Sequence, residues 1–444
     1  MAGGTWIDQN KVRPGVYINY KSAPASLATM GERGTVAIAR VMDWGAQGKF
    51  YTIESPSDCA QFGHSITDAE MLFVRQILLG SNRTQGATKI LVWALNTTGG
   101  TKATATISDT TATAKYPGTY GNRLSFDIEH EGDGSPYTIN TYLDGVIVDS
   151  QTVMGWDGSV RDNDYVTFDG DLTDGGISTA LTGGTNGTPT TTAYSDFLNA
   201  LELQKFDVVI YDGTDATTKT AFADFVKRLS NQEGVKCQAV LSDATNPDNE
   251  CIINVYPQAV TLTDGTELAA SELTWWVGGA SAGANVFESL TYAAYPDAVE
   301  VDPVLTSSQQ EAAINAGKFA LISQFDRIQV LTDINSFVTF AVEKGKAFRK
   351  NRVIRTIFGL CNDIYKTFAT YYIGAVHNDE EGRNSLKAEI LNLMNRYQGN
   401  RALQNVEADD VTVSAGVDSD AVVIEAYIQP VDSIEKIYIN ITIS

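Results

Sequence analysis

The chain has 444 residues, 43% of them apolar, with 54 acidic side chains against 32 basic ones and a formal net charge of −22. That length exceeds a single core and predicts two to four domains. The apolar share excludes wholesale disorder, and the charge excludes a surface built to hold nucleic-acid phosphate. There is no run of about 18 apolar residues and no basic segment followed by an apolar stretch, so neither a membrane span nor a signal peptide is expected, and synthesis in a cytoplasm is.

In chain order, Val12–Tyr20 reads as a turn followed by a short alternating strand, so residues 1–20 are expected to form an extended arm. Thr35 to Val41 is a short apolar strand. Thr67 with Glu70 has the spacing of a capping box opening a helix through Leu79, and Lys89 to Leu95 is a second strand. This order begins an α/β layer. From 96 to 189 the texture changes to Thr, Gly and Asp. Alternating runs at Leu124–Glu129, Tyr137–Leu143 and Val146–Val153 predict an inserted all-β sandwich. Residues 97–188 hold thirteen acidic and four basic side chains, which predicts a module facing solvent.

The α/β pattern resumes with strand Phe206–Tyr211, helix Thr217–Ser230, strands Val235–Leu241 and Cys251–Tyr256, and a helix through Leu268–Trp276. Ser308 with Glu311 suggests a second capping box, and Phe319–Ile322 with Arg327–Leu331 a hairpin. Residues 21–95 and 190–335 thus predict one discontinuous α/β core. Residues 336–429 predict a separate α+β domain. In it Ile354, Ile357, Phe358, Cys361, Ile364, Tyr365, Phe368 and Tyr372 share one face of a long helix. Leu386, Ile390, Leu393, Met394 and Tyr397 mark another, and strands follow at Val411–Ser414 and Ala421–Ile428. The fold class is therefore α+β multidomain, an α/β core interrupted by a sandwich and followed by an α+β domain, with extended arms at both ends.

The last segment, 430–444, alternates up to the carboxyl terminus. Ile437, Ile439, Ile441 and Ile443 fall on one face of a strand, with Tyr438, Asn440 and Thr442 on the other. Chain ends fray unless something ties them down. Such a strand needs a partner, either within its own subunit or in another copy.

Catalytic chemistry is hard to find. His64, His130 and His377 have no His or Cys neighbours of metal-site spacing and no nucleophile motif beside them. Gly278–Ala284 is glycine-rich but follows a helical pattern and lacks a P-loop ending, so it reads as close helix packing. The acidic loop 157–171 lacks the order of an EF-hand and reads as solvated turns. Cys59, Cys237, Cys251 and Cys361 are spread as buried thiols are. No catalytic residue, metal or cofactor is therefore assigned. One charge pattern is informative. Lys344, Lys346, Arg349, Lys350, Arg352, Arg355 and Lys366 face one acid, Asp363, whereas 402–430 holds Glu407, Asp409, Asp410, Asp418, Asp420 and Glu425 and no base. These are a candidate contact patch and its candidate acidic partner, satisfied between subunits, within one subunit, or against a non-protein surface.

Arg13–Tyr17, Thr35–Arg40, Ser289–Tyr292, Ala316–Lys318, Asn351–Arg355 and the ending Pro430–Tyr438, taken in order along nearly the whole chain, resemble the tail sheath proteins of contractile phages. The likeness is nearest to sheaths of Gram-positive myophages, defective prophages and phage-tail-like bacteriocins such as diffocins. The resemblance implies a non-enzymatic structural subunit, in stacked six-fold rings around an inner tail tube, with baseplate and tail-terminator proteins as further partners. It implies arm strands, here Val16, Tyr17 and Ile18 at one end and Ile434, Ile437, Ile439, Ile441 and Ile443 at the other, that add to a sheet in the carboxyl-terminal domain of neighbouring subunits. It also implies contraction from a metastable extended state, an outward-facing insertion, and a basic run that touches the tube or another ring. The particle would form in a bacterial host and be extracellular after release. A β-rich surface adhesin and an α/β enzyme are the alternatives from other classes.

Overall fold

Seven short apolar runs build the central sheet of the computed structural model, which describes residues 30–132, 134–156 and 160–443. The strand order is Lys318–Phe319, Ile252–Val255, Gln238–Ser242, Val208–Tyr211, Thr35–Arg40, Lys89–Ala94 and Lys49–Ile53. All neighbours run parallel except the last pair. A parallel sheet is covered on both faces, which is why these strands are apolar at consecutive positions rather than alternately. Val36, Ile38, Ile90, Val92, Val208 and Ile210 point to one core, and Ala37, Ala39, Leu91, Trp93, Val209 and Tyr211 to the other.

Helices Leu72–Leu79 and Leu273–Gly283 cover the first face. The glycines of the second helix are there for close approach. A Cβ at Gly278 would strike Ile210, one at Gly279 the backbone of Ile77, and one at Gly283 the backbone of Gly86. Trp276 locks the same contact, donating from Nε1 to the Gly80 carbonyl at 2.6 Å and stacking on Tyr295. Helices Ala193–Leu201 and Ala216–Arg228 supply the second face, together with Ile354 and Phe358 from the start of helix Asn351–Tyr371. Both capping-box expectations move. Asp68 rather than Thr67 precedes the first helical turn there, and Thr306 with Gln309 closes the box before helix Ser307–Asn315.

The insertion is a sandwich. A three-stranded sheet (Val166–Gly170, Thr110–Ala114, Thr104–Ile107) faces a four-stranded one (Gly176–Ala180, Leu124–His130, Tyr137–Leu143, Val146–Val153), and Thr97–Thr98 pairs with Thr188–Pro189 where the chain leaves and returns. It is not merely hung on a loop. Trp44, from the α/β segment, is part of the sandwich's own core and packs against Tyr116 and Tyr120.

Beneath this junction His64 is buried, with Nε2 2.9 Å from Asp43 Oδ1, Nδ1 3.1 Å from Asp68 Oδ2 and Glu70 3.8 Å away, while the Tyr120 hydroxyl donates to the Gly63 carbonyl. Burial alone would lower the imidazole pKa, but the carboxylates of Asp43 and Asp68 outweigh it and the net shift is upward. The stabilisation is then fully present below the unfolded value of 6.5 and is lost as pH rises through the raised folded value. Replacing His64 with Gln is expected to lower the melting temperature more at about pH 5.5 than at about pH 8.5. Equal losses at both pH values would show that the imidazole is neutral throughout.

By compactness the chain forms two units, residues 31–362 with 430–444, and Met30 with 363–429. Helix Asn351–Tyr371 begins in the first and ends in the second. The second unit contains helix Glu380–Gly399 and one hairpin, Val411–Ala415 with Val422–Ala426. Tyr397 anchors its core by donating to the Asp363 carboxylate at 2.8 Å, and Leu386, Ile390, Leu393 and Met394 are buried.

Candidate assembly surfaces

In a doubly wound sheet, ligands sit at the carboxyl ends of the strands where the winding reverses. Here that point lies between Thr35–Arg40 and Val208–Tyr211. Arg40 pairs with Asp212 across it, Trp275 Nε1 donates to Asp212 at 2.9 Å, and the guanidinium lies 4.9 Å from the ring centres of both Phe73 and Trp275. The crevice is filled by a neutralised ion pair and aromatic rings. Among the described residues no group of three or more His, Cys, Asp or Glu side chains could hold a metal ion. No helix among them is long and apolar enough to cross a membrane. The cysteines are free thiols; burial pushes Cys251 up to about 11, as befits an unreactive core group.

The hairpin of the second unit is the clearest open edge. Its five cross-strand pairs, Val411 with Ala426 through Ala415 with Val422, make a sheet of only two strands, with no third among the described residues. Two strands alone are marginal in water. Both ends of the hairpin are acidic. Glu407, Asp409 and Asp410 stand at its base and Asp418 and Asp420 in its turn, all exposed except the half-buried Asp410, which accepts from the Glu407 amide. None of these five is in an ion pair among the described residues.

Residues 431–443 belong to the α/β unit. They run without strand pairing among the described residues, and Ile434, Ile437, Ile439, Ile441 and Ile443 are each at least three-quarters exposed. The root of the segment is nonetheless fixed. Glu435 accepts from Lys350 Nζ, from Thr291 Oγ1 at 2.8 Å and from Thr332 Oγ1 at 3.5 Å. The segment is thus anchored to its own α/β unit up to Glu435 and unpaired beyond it. The amino-terminal arm residues Val16, Tyr17 and Ile18 lie outside the described residues.

The basic run does not form one surface patch, and its members from Lys344 to Arg355 belong to the α/β unit, whereas Lys366 lies in the second unit with the acidic run. Arg355 is fully buried and holds Asp333 at 2.5 Å, so it is removed from any contact surface. Lys350 is committed to Glu435, and Lys344 to Glu250 at 2.5 Å. Arg352 is half-buried; burial lowers its pKa and nearby Asp432 opposes the shift. Between Lys344 and Arg355 only Lys346 is exposed, as Lys366 is in the second unit, while Arg349 is buried with Nε and Nη2 lacking an acceptor among the described residues. The sequence carries the sign of these charges but not their partners, because Asp333, Glu250 and Glu435 lie far away along the chain.

Four family descriptions match in order: the tail sheath protein Gp18 domain III N-terminal region over residues 33–93, the phage tail sheath beta-sandwich domain over 98–186, the phage tail sheath central domain over 187–336 and the phage tail sheath C-terminal domain over 343–444. The phage-like element PBSX protein XkdK of Bacillus subtilis strain 168 is 33% identical over the whole of both chains. A solved sheath tail protein from Desulfitobacterium hafniense is 40% identical, with a TM-score of 0.84 over 96% of this chain and 99% of that one. The anti-feeding prophage helical sheath in its contracted state shares the fold at 14% identity, with a TM-score of 0.59 over 97% and 99%. The chain belongs to the phage tail sheath protein family, and its role is structural. Its relatives are components of phages or phage-like particles.

Proposed function

We propose that this chain is the repeating subunit of a contractile tail sheath, stacked as six-fold rings around an inner tube, ending on baseplate and terminator proteins, and released with its particle from a bacterial host. The observation that carries the reading is the pairing of deficits: residues 437–443, which alternate as a strand does, pair with nothing among the described residues, and Val411–Ala415 with Val422–Ala426 form a sheet of only two strands. A neighbour's tail added to that hairpin satisfies both, through main-chain hydrogen bonds and burial of one isoleucine face. The arm at residues 1–20, through Val16, Tyr17 and Ile18, would add in the same way to another copy.

Links of this kind hold while the packing around them changes. Contraction then needs only two packings of the same subunits that differ by a few kcal/mol, multiplied along the array, and no nucleotide. Lys346 and Arg349, with Lys366 in the second unit, are the members of the basic run left to meet the tube or another ring. The test is negative-stain microscopy of the purified full chain as its concentration is raised. Tubes or stacked rings with six-fold end views are expected. Discrete monomers at every concentration and salt would overturn the reading.

A further inference from the structure

Arg349 and Ser433 both carry buried polar atoms that lack a partner among the described residues. The Arg349 side chain is nine-tenths buried, yet its Nε and Nη2 have no acceptor, and Ser433 Oγ is buried without a partner as well. Both line one open cavity of about 900 Å³ at the root of the carboxyl-terminal segment. Four cationic side chains line it, Lys346, Arg349, Lys350 and Lys436, against the carboxylates of Asp432 and Glu435. Glu435 is already held by Lys350, Thr291 and Thr332, and Asp432 lies near Arg352 rather than Arg349. Burial lowers the Arg349 pKa with no carboxylate opposing it. Arg355 also has two nitrogens without a partner but holds Asp333, whereas Arg349 has no ion pair among the described residues and borders an open cavity, so a negatively charged acceptor entering that cavity would meet two free donors.

We propose that this cavity is a socket for a carboxylate of the acceptor hairpin on a second copy of this chain. The inference rests on the strand-addition reading above and supplies its register lock. If residues 437–443 lie beside a neighbour's hairpin, Lys436 and Ser433 stand at one end of it. The seven arm residues span roughly 23 Å and the five-residue strands roughly 16 Å. Whichever direction the arm runs, that end carries acids: Glu407, Asp409 and Asp410 at the base, or Asp418 and Asp420 in the turn. Arg349 then gains a charge-assisted, two-donor partner only when the arm is fully seated. A slipped register leaves the guanidinium buried and bare.

The experiment uses the full chain with Arg349→Met, which keeps the length of the side chain and removes the unmet donors. The monomer, melted below its assembly concentration, should be as stable as the parent or more so, while the concentration needed for tubes rises about tenfold, the worth of one charged hydrogen bond. Neutralising one end of the hairpin, either Glu407→Gln with Asp409→Asn or Asp418→Asn with Asp420→Asn, should raise that concentration comparably and add nothing further in the Arg349→Met background. A less stable Arg349→Met monomer would assign the residue to the fold and overturn the socket, as would assembly at the parent concentration or full additivity with both hairpin variants. A chain ending at Pro430 separates the two readings. If it still forms tubes, strand addition itself is wrong; if it does not, while Arg349→Met assembles as the parent does, the socket alone fails.

Discussion

Truncation after Pro430 is expected to give a folded, soluble monomer that cannot form tubes. Residues 437–443 pair with no strand among the described residues, and their isoleucines already face water, so removing them takes nothing from the intramolecular core. The intramolecular losses are the Glu435 anchor and the Asp432 carboxylate near Arg352. Lys350 is 23% exposed and can rehydrate once Glu435 is gone, so the truncated chain is expected to lose some stability and to stay folded. In assembly the loss is far larger, because each isoleucine buried against a neighbour contributes roughly 1.5 to 3 kcal/mol, in addition to the ladder hydrogen bonds. A chain ending at Lys436 keeps the anchor and should still fail to assemble. Ile439→Pro should come close to the same result by removing a ladder donor. Circular dichroism melting beside microscopy decides the matter. A fall in melting temperature on the order of 10 °C for the chain ending at Lys436 would mean that the strand belongs to its own subunit.

The parallel core was legible because fully buried strands are short apolar runs. Val208–Tyr211 and Lys89–Ala94 are apolar or nearly so at every position, and both were expected within a residue or two. The edge strand Lys49–Ile53 and helix Ala193–Leu201 were not anticipated. The strand is a five-residue segment with only Tyr51 and Ile53 buried, and the helix follows directly on the Thr-rich end of the insertion. The capping boxes misplaced themselves for a physical reason. Thr306 with Gln309 and Ser308 with Glu311 both satisfy the spacing, and only the backbone decides which residue leaves the helix extended; Thr306 does, at φ −67° and ψ 161°. The assembly surfaces divided along the same line. The alternation of residues 437–443 can be read from sequence because it is a local pattern; among the described residues the segment joins no sheet, and its addition to another copy is what the truncation tests. The fate of each base between Lys344 and Arg355 could not be read so, because burial and pairing there are set by acids on other elements.

Arg355 shows how large that hidden difference is, and breaking its ion pair should be the most destabilising single change in the α/β unit. Its Nη2 donates to Asp333 Oδ2 at 2.5 Å and to the Glu288 carbonyl at 2.9 Å, with both side chains essentially inaccessible to water. Asp333 is held besides by the Leu290 amide at 3.0 Å and by Asn351 Nδ2 at 2.9 Å. One carboxylate thus ties together the loop at Leu290, the segment after strand Arg327–Val330 and the start of helix Asn351–Tyr371. Arg355→Met keeps the volume but strands the carboxylate in the interior, at a cost of about 3 to 5 kcal/mol. Asp333→Leu strands the guanidinium to similar effect. The double variant should recover much of the loss, since neither charge is then buried alone, although the Leu290 amide and Asn351 still lose an acceptor. Urea unfolding of the three variants measures this directly. Two single changes of less than about 1 kcal/mol would place both side chains at the surface, and would return Arg355 to the pool of contact residues that its sequence context suggested.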